Sequence, residues 1–175
     1  DASRAGLEHE NRPGWWARGM RYIGVGDHLR MNRTTFEALR DLPGKVIHAD
    51  IRFVRRAALA PVLVAEGIKI DNTAGIELVL SVSYNEIVGA KTFNVHVPRV
   101  GPICRLDVDG NAHRPAGRSH KHSLHEERCP DRNLPDGVID RPDLSGSSLH
   151  AAFAELCRMA NIAHLGYLET PDEGT

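Results

Sequence analysis

The sequence predicts an α+β domain in which an antiparallel sheet of five or six strands is flanked by an N-terminal and a C-terminal helix. Several stretches alternate apolar and polar residues, and short loops join them, which is typical of hairpins with one solvated face. Helical spacing occurs near each end of the predicted domain. With 175 residues, 41% of them apolar and 26% charged, the chain fits a single globular domain rather than a disordered polymer.

The chain divides into three predicted segments. Residues 1–20 mix charge, Gly and Pro around Trp15 and Trp16, which indicates a flexible tail with an aromatic anchor. Residues 21–168 form the single globular α+β domain. Residues 169–175 are expected to be a disordered C-terminal tail.

Two segments have the spacing and the terminal residues of helices. Thr34 to Glu37 matches a capping box, and Pro43-Gly44 ends the helix that follows. Its apolar positions are Phe36, Leu39 and Leu42. Ser147 is the predicted N-cap of the C-terminal helix. The apolar stripe of that helix, which we expect to pack on the sheet, is Leu149, Ala152, Phe153, Leu156 and Ala160.

Five stretches read as strands. They run from 47 to 53, 62 to 70, 76 to 84, 93 to 97 and 104 to 108. The second stretch is interrupted near Gly67, and the fifth ends at a turn formed by Gly110-Asn111. Because side chains alternate between the two faces of a strand, we expect an apolar face that supports the helices and a polar, solvated face.

Charge and cysteine usage restrict the class of protein. Residues 12–56 carry ten Lys or Arg against four acids, whereas residues 126–175 carry ten acids against four Arg. The basic part favours a nucleic-acid partner, and the acidic part favours a protein inhibitor or complex partner. No apolar run is long enough to cross a membrane, and no secretory leader is visible. Three cysteines without a C-x-x-C pair favour a reducing, cytoplasmic location.

A histidine-rich segment at 110–125 holds most of the chemistry. It contains four histidines and three cations and no acid; they are His113, His120, His122, His125, Arg114, Arg118 and Lys121. His120 and His122 form an H-x-H pair, so on a strand their rings emerge on the same face. The side chains between and beside them are polar, which predicts an edge strand or partial loop around a wet, cationic recess.

The leading interpretation is a metal-independent endoribonuclease that needs no cofactor. His120 and His122, with His113 beside them, act as general base and general acid on an RNA phosphodiester, since imidazole titrates near neutrality. Asp107 orients a histidine or pairs with Arg105. The predicted phosphate ligands are Arg105, Arg114, Arg118 and Lys121.

Two alternatives remain open from the residues alone. One is a zinc site, with ligands drawn from His113, His120, His122, His125 and Cys129. The other is a non-enzymatic module, phage or prophage encoded, whose basic loop binds nucleic acid or a protein without turnover. A zinc-dependent hydrolase would contain metal, and a binding module would show salt-sensitive binding only.

The C-terminal half also has a pattern of short motifs. It reads R-L-D-x-x-G-x-x-H-R from Arg105, then H-x-H from His120, then F-x-x-x-C-x-x-x-N-I from Phe153. This pattern resembles an uncharacterised bacterial family of small proteins associated with mobile elements and with toxin–antitoxin or phage-conflict loci. The resemblance implies a nucleic-acid setting and a shared site formed by Arg105, Asp107, His113, His120 and His122.

Overall fold

The described part of the chain contains nine strands, seven of which form one antiparallel sheet. This computed structural model describes residues 33–122 and 138–171. The strands are β1 (Lys45–Ile47), β2 (Val54–Arg55), β3 (Val62–Ile70), β4 (Leu78–Asn85), β5 (Ala90–Val97), β6 (Gly101–Val108), β7 (His120–His122), β8 (Val138–Asp140) and β9 (Ile162–His164). In the main sheet β2 to β8 lie side by side in chain order, so each strand pairs with its sequence neighbour.

The sheet is larger than the five or six strands expected. Both additional strands are short edge strands, β2 at one edge and β8 at the other. Strands of two and three residues are too short to produce a readable alternation, which explains why sequence periodicity missed them. Four predicted strands correspond to β3 to β6, and the expected break in β3 is a register shift between Ala65 and Ile68, where Gly67 has a φ of 68°.

The prediction of a strand over residues 47–53 is wrong for most of that range. Only Lys45–Ile47 is a strand, and it pairs in parallel with β9 rather than joining the main sheet. Ile47 and Ile51 are fully buried, but Ala49 is exposed, so the alternation does not continue. A single bridge between Ile51 and Leu168 attaches the remaining chain.

Two helices, α1 (Arg33–Asp41) and α2 (Leu149–Ala160), pack on the sheet and touch each other. α1 contacts β6, and α2 contacts β5, β6 and β9. Both helices therefore pack over β6, so the expectation that a helix from each end of the domain flanks the sheet is confirmed in part. Neither helix, in the described part of the chain, has the length and apolar character needed to cross a bilayer.

The helix signals identified both helices but not their N-caps. α1 spans Arg33–Asp41, so Thr34, the predicted N-cap, lies inside the helix. Ser148, and not Ser147, caps α2, and its hydroxyl oxygen accepts a hydrogen bond from the backbone N–H of Ala151 at 3.1 Å. All the predicted apolar positions of both helices are buried; they are Phe36, Leu39, Leu42, Leu149, Ala152, Phe153, Leu156 and Ala160.

The core lies between these helices and the apolar face of the sheet. Strands β4, β5 and β6 contribute Leu78, Leu80, Val82, Phe93, Val95, Ile103, Leu106 and Val108 to it. Because alternate residues of β4 to β6 are used in this core, the other face carries the polar side chains that build the site described below. The expected N-terminal tail, 1–20, lies outside the described residues. Within the expected C-terminal tail, the backbone N–H of Glu169 donates to the carbonyl oxygen of Ile51 at 2.9 Å.

Candidate functional site

Two neighbouring strands bring together the ionisable residues of the polar face. β6 carries Arg105 and Asp107, and β7 carries His120 and His122. The register places Asp107 opposite His120 and Arg105 opposite His122. Directly opposed side chains on one face have Cβ atoms only about 5 Å apart. The pairing of β6 with β7 therefore places a carboxylate beside two imidazoles.

Three atoms of these residues form a small triangle. His122 Nε2 lies 2.7 Å from Asp107 Oδ2, His120 Nε2 lies 3.2 Å from His122 Nε2, and His120 Nε2 lies 3.3 Å from Asp107 Oδ2. Both imidazoles thus direct the same type of ring nitrogen at one carboxylate oxygen.

His113 completes the cluster from the loop between β6 and β7. The loop is closed where the Gly110 N–H donates to the carbonyl oxygen of Arg118 at 3.0 Å. The guanidinium of Arg118 also donates to the carbonyl oxygens of Asp109 and Gly110, at 2.6 and 3.0 Å. The His113 ring centroid lies 4.7 Å from that of His120 and 5.3 Å from that of His122. One ligating atom from each of the three histidines lies within 4.8 Å of the others.

A backbone contact determines which nitrogen of His120 carries the proton. His120 Nδ1 lies 3.0 Å from the carbonyl oxygen of Gly117. A carbonyl only accepts, so Nδ1 donates, and Nε2 of the neutral ring keeps its lone pair for the cluster. The N–H of Gly117 in turn donates to Asp140 Oδ1 at 3.0 Å, which links the loop to β8. This Nδ1–H to carbonyl bond is the arrangement commonly found behind a metal-ligating histidine.

Asp107 is ionised in this environment. Burial opposes ionisation, but the hydrogen bond with His122, the charge of Arg105 and the hydrogen bond from Thr92 outweigh it and lower the pKa of Asp107 to about 2. Thr92 Oγ1 donates to Asp107 Oδ1 at 2.6 Å, and Arg105 Nε donates to Oδ2 at 3.1 Å. Burial lowers the pKa of His120 against the opposing charge of Asp107, so its neutral form is favoured.

The expectation of a wet recess around an edge strand is wrong. β7 lies between β6 and β8, and the side chains of His120 and His122 are 0% and 2% exposed. The three residues of β8, which follow a long polar segment, produced no strand signal. A cleft of about 420 Å³ does reach the cluster, but it reaches it at Asp107 and His113.

The spacing of the H-x-H pair limits its chemistry. If one imidazole acts as the general base and the other as the general acid on opposite sides of a phosphate, their ring nitrogens must be at least roughly 6 Å apart, which is the length of two hydrogen bonds. The two Nε2 atoms are 3.2 Å apart, which leaves no room for a phosphate between them. The arrangement therefore lends no support to a metal-independent reaction in which this pair straddles RNA, and RNA as substrate stays a prediction.

The other predicted site residues are only partly brought together. Arg105 and Arg118 line the cleft, whereas Arg114 is exposed and is not among its lining residues. Lys121 lies on the opposite face of β7, where its charge acts on Asp41 and Cys104, so it is not placed beside the histidines. His125 and Cys129, predicted as alternative zinc ligands, lie outside the described residues.

Three contributors were not found from the sequence. Thr92 holds Asp107 because Thr92 and Asp107 are directly paired across β5 and β6. Gly117 and Asp140 orient His120 through a chain of two hydrogen bonds. A polar residue on the outer face of a strand is the usual case, so only the strand order distinguishes Thr92 from its neighbours.

Comparisons with protein-family models, with curated proteins and with solved structures find no match to this chain. The resemblance to a mobile-element-associated family therefore stays a prediction.

Proposed function

We propose that this protein is a metal-dependent hydrolase, with a divalent transition-metal ion bound by His113, His120 and His122 next to Asp107. The proposal depends on one observation, the convergence of three imidazoles, whose ligating atoms all lie within 4.8 Å of one another, with the Asp107 carboxylate beside two of them. Three histidines with a further position for water or substrate are a common ligand set of catalytic zinc. Imidazole ligands suit Zn²⁺ and other late first-row divalent ions, and Co²⁺ serves below as a spectroscopic probe of the same site.

The distances within the cluster support this proposal. At Zn–N distances of about 2.05 Å, tetrahedral ligand atoms lie roughly 3.3 Å from one another. The separation of His120 Nε2 from His122 Nε2 is 3.2 Å, close to that value. His113 lies on a loop and is partly exposed, so its ring has space to approach His120 and His122 when an ion binds.

The protonation pattern supports it as well. His120 Nε2 and Asp107 Oδ2 are both acceptors, and they point toward each other. The N–H of His122 is the one proton that this hydrogen-bonding pattern places between them. A cation held by the histidine nitrogens releases that proton, as metal binding to histidine requires, and the ionised Asp107 carboxylate beside it balances part of its charge.

The chemistry follows from the ion and from the cleft. A bound divalent ion lowers the pKa of its water to about 7, so that hydroxide forms at neutral pH. An ion held by His113, His120 and His122 would thus supply a hydroxide nucleophile for hydrolysis, with the leaving group taking its proton from water. Asp107 and His113, which line both the cluster and the cleft, place the reacting position where a substrate can reach it.

The test is metal content combined with activity. We expect metal-free protein to bind about one equivalent of Co²⁺ with the intense visible absorption of a tetrahedral site. His120→Ala and His122→Ala should each weaken binding at least 100-fold. His48→Ala is the matched control, because His48 is exposed and lies outside the cluster.

Hydrolysis of bis(p-nitrophenyl) phosphate should require Zn²⁺ or Co²⁺ and should be lost in both cluster variants. Binding of less than about a fifth of an equivalent, or equal binding by the cluster variants and the control, would refute the metal centre. Stoichiometric binding without metal-dependent hydrolysis of this ester or of an activated carboxylic ester would refute the hydrolase.

A further inference from the structure

The cleft beside the histidine cluster has two chemically different ends. It is bordered by strands β3 to β6 and by the loop after β6, and its volume is about 420 Å³. The end near the cluster carries Arg105, Asp107, Asp109, His113 and Arg118. The rest is lined by Val62, Ser83, Asn85, Val88, Ala90, Thr92, Gly110 and Asn111.

The charged end offers hydrogen-bond donors rather than acceptors. Asp109 is occupied internally: Oδ1 accepts from the Ser145 hydroxyl at 3.1 Å, and Oδ2 accepts from the Gly146 N–H at 3.0 Å. Asp107 is occupied by Thr92, Arg105 and His122. In the described part of the chain, Arg105 uses only two of its five N–H groups, both on Asp107, so three remain for a ligand.

The net charge of this end depends on the ion. Arg105 and Arg118 are balanced by Asp107 and Asp109, so the side chains alone give the cleft no net charge. A divalent ion in the cluster adds two positive charges next to the two guanidinium groups. The loaded cleft then favours a multivalent anion with several oxygens, and guanidinium groups match a phosphoryl group in particular.

The far end is apolar and lies at a defined distance. Val62 is on β3 and Asp107 is on β6, so they are separated by three strand spacings, about 14 Å. Val62 and Val88 provide a small apolar surface there, and Ser83 and Asn85 on β4 and Ala90 and Thr92 on β5 lie between Val62 and the charged end. A ligand that fills the cleft therefore has an anionic head and a flat or apolar group about one sugar-and-base length away.

We infer that the cleft binds one nucleoside phosphate unit, with its phosphoryl group at the metal, Arg105 and Arg118 and its base toward Val62 and Val88. This inference rests on the proposed metal centre and names the substrate class of the same site. The unit is either a free nucleotide or the terminal nucleotide of a strand, since both present the same chemistry to a cleft of this size.

The experiment uses the full chain loaded with one equivalent of Zn²⁺. Binding of each of the four ribonucleoside 5′-monophosphates is measured by calorimetry beside adenosine, inorganic phosphate, and a six-nucleotide RNA with and without a 5′-phosphate. We expect at least one monophosphate to bind tenfold or more tightly than adenosine and tenfold or more tightly than phosphate. Arg118→Gln should weaken that binding at least fivefold, and Arg52→Gln, an exposed arginine paired with Asp50 outside the cleft, should not.

Each outcome has a distinct meaning. Tighter binding of the 5′-phosphorylated RNA than of the monophosphates supports the inference with a strand end as the source, and the reverse order supports it with a free nucleotide. Adenosine or inorganic phosphate binding as tightly as every monophosphate, or no binding of any nucleotide to protein that holds Co²⁺ with its tetrahedral absorption, overturns the inference while the metal centre stands. Failure of the wild-type protein to bind the metal ion overturns both the nucleotide-binding inference and the metal centre.

Discussion

At the scale of single residues, the orientation of His120 depends on atoms that do not belong to the cluster. Its Nδ1–H donates to the Gly117 carbonyl, and Gly117 is held by Asp140 Oδ1. A Cβ added at Gly117 would lie 3.3 Å from that same carboxylate oxygen, so the close approach favours glycine. Partners that orient a ligating histidine commonly change metal affinity by 10- to 100-fold when they are removed.

Asp140→Ala should therefore weaken Co²⁺ binding about tenfold without changing the number of ions bound. Asp140→Asn keeps an oxygen that can accept from the Gly117 N–H, so we expect it to restore most of the affinity. Competition titration against a chelator of known affinity measures both variants. Equal affinities for wild type, Asp140→Ala and Asp140→Asn would contradict a positioning role.

At the scale of elements, a cluster of charges attaches α2 to the chain that follows β8. Glu155 Oε1 on α2 accepts from Arg141 at 2.8 Å and from Arg158 at 2.7 Å, and Arg141 also pairs with Asp143. The hydrogen bonds from Arg158 and Arg141 outweigh the effect of burial and lower the pKa of Glu155 to about 2. Because Arg141 directly follows β8, the network holds this edge strand, and with it Asp140, against the helix layer.

Glu155→Gln should reduce the free energy of unfolding at pH 7 by about 1–2 kcal/mol, discounted for the solvent exposure of Arg158. The folded pKa of Glu155 lies below its ordinary value of 4.5, so its contribution is fully present above about pH 4.5 and is lost as pH falls toward 2. The free energies of unfolding of wild type and Glu155→Gln, measured with denaturant at several pH values, should converge near pH 2. Glu77→Gln is the control because Glu77 is exposed, and its free energy of unfolding should follow that of wild type at every pH. A difference in free energy of unfolding between wild type and Glu155→Gln that stays constant with pH would contradict this explanation.

At the scale of the whole molecule, the histidine cluster links β6, the loop that follows it and β7 through one group of side chains. Asp107 comes from β6, His113 from the following loop, and His120 and His122 from β7 near the sheet edge. An ion bound by all of them favours the folded state over the unfolded state. With free ion at 100 times its dissociation constant, this linkage is worth about 2.7 kcal/mol.

Zn²⁺ should consequently raise the melting temperature by about 5–10 °C for a domain of this size, and EDTA should reverse the change. Differential scanning calorimetry at matched ionic strength measures the shift. His122→Ala should remove the zinc dependence, whereas His150→Ala, an exposed histidine on α2, should keep it. A rise of the same size with Mg²⁺, which prefers oxygen ligands, would contradict binding by imidazole.

The sequence determined the parts of the fold that have a clear period. β3 to β6 and the buried stripes of α1 and α2 were predictable because each spans enough residues for alternation or helical spacing to be read. It also identified His113, His120 and His122 as a cluster and Asp107 as their neighbour. A lysine is normally expected to be exposed, but the Lys45 side chain is buried. Its ammonium donates to the carbonyl oxygens of Leu39 and Arg40 at the end of α1, which satisfies it there.

Only the tertiary structure determined whether the histidines are buried and which groups surround them. The short strand β8 covers β7, so the pair is buried instead of solvated, and the register of β6 with β7 brings two Nε2 atoms to 3.2 Å with Asp107 beside them. Lys121, between the two histidines on β7, lies on the other face of the sheet, as the alternation of side chains along a strand predicts. Strand order and register depend on contacts between residues distant in the chain, and no local period carries that information.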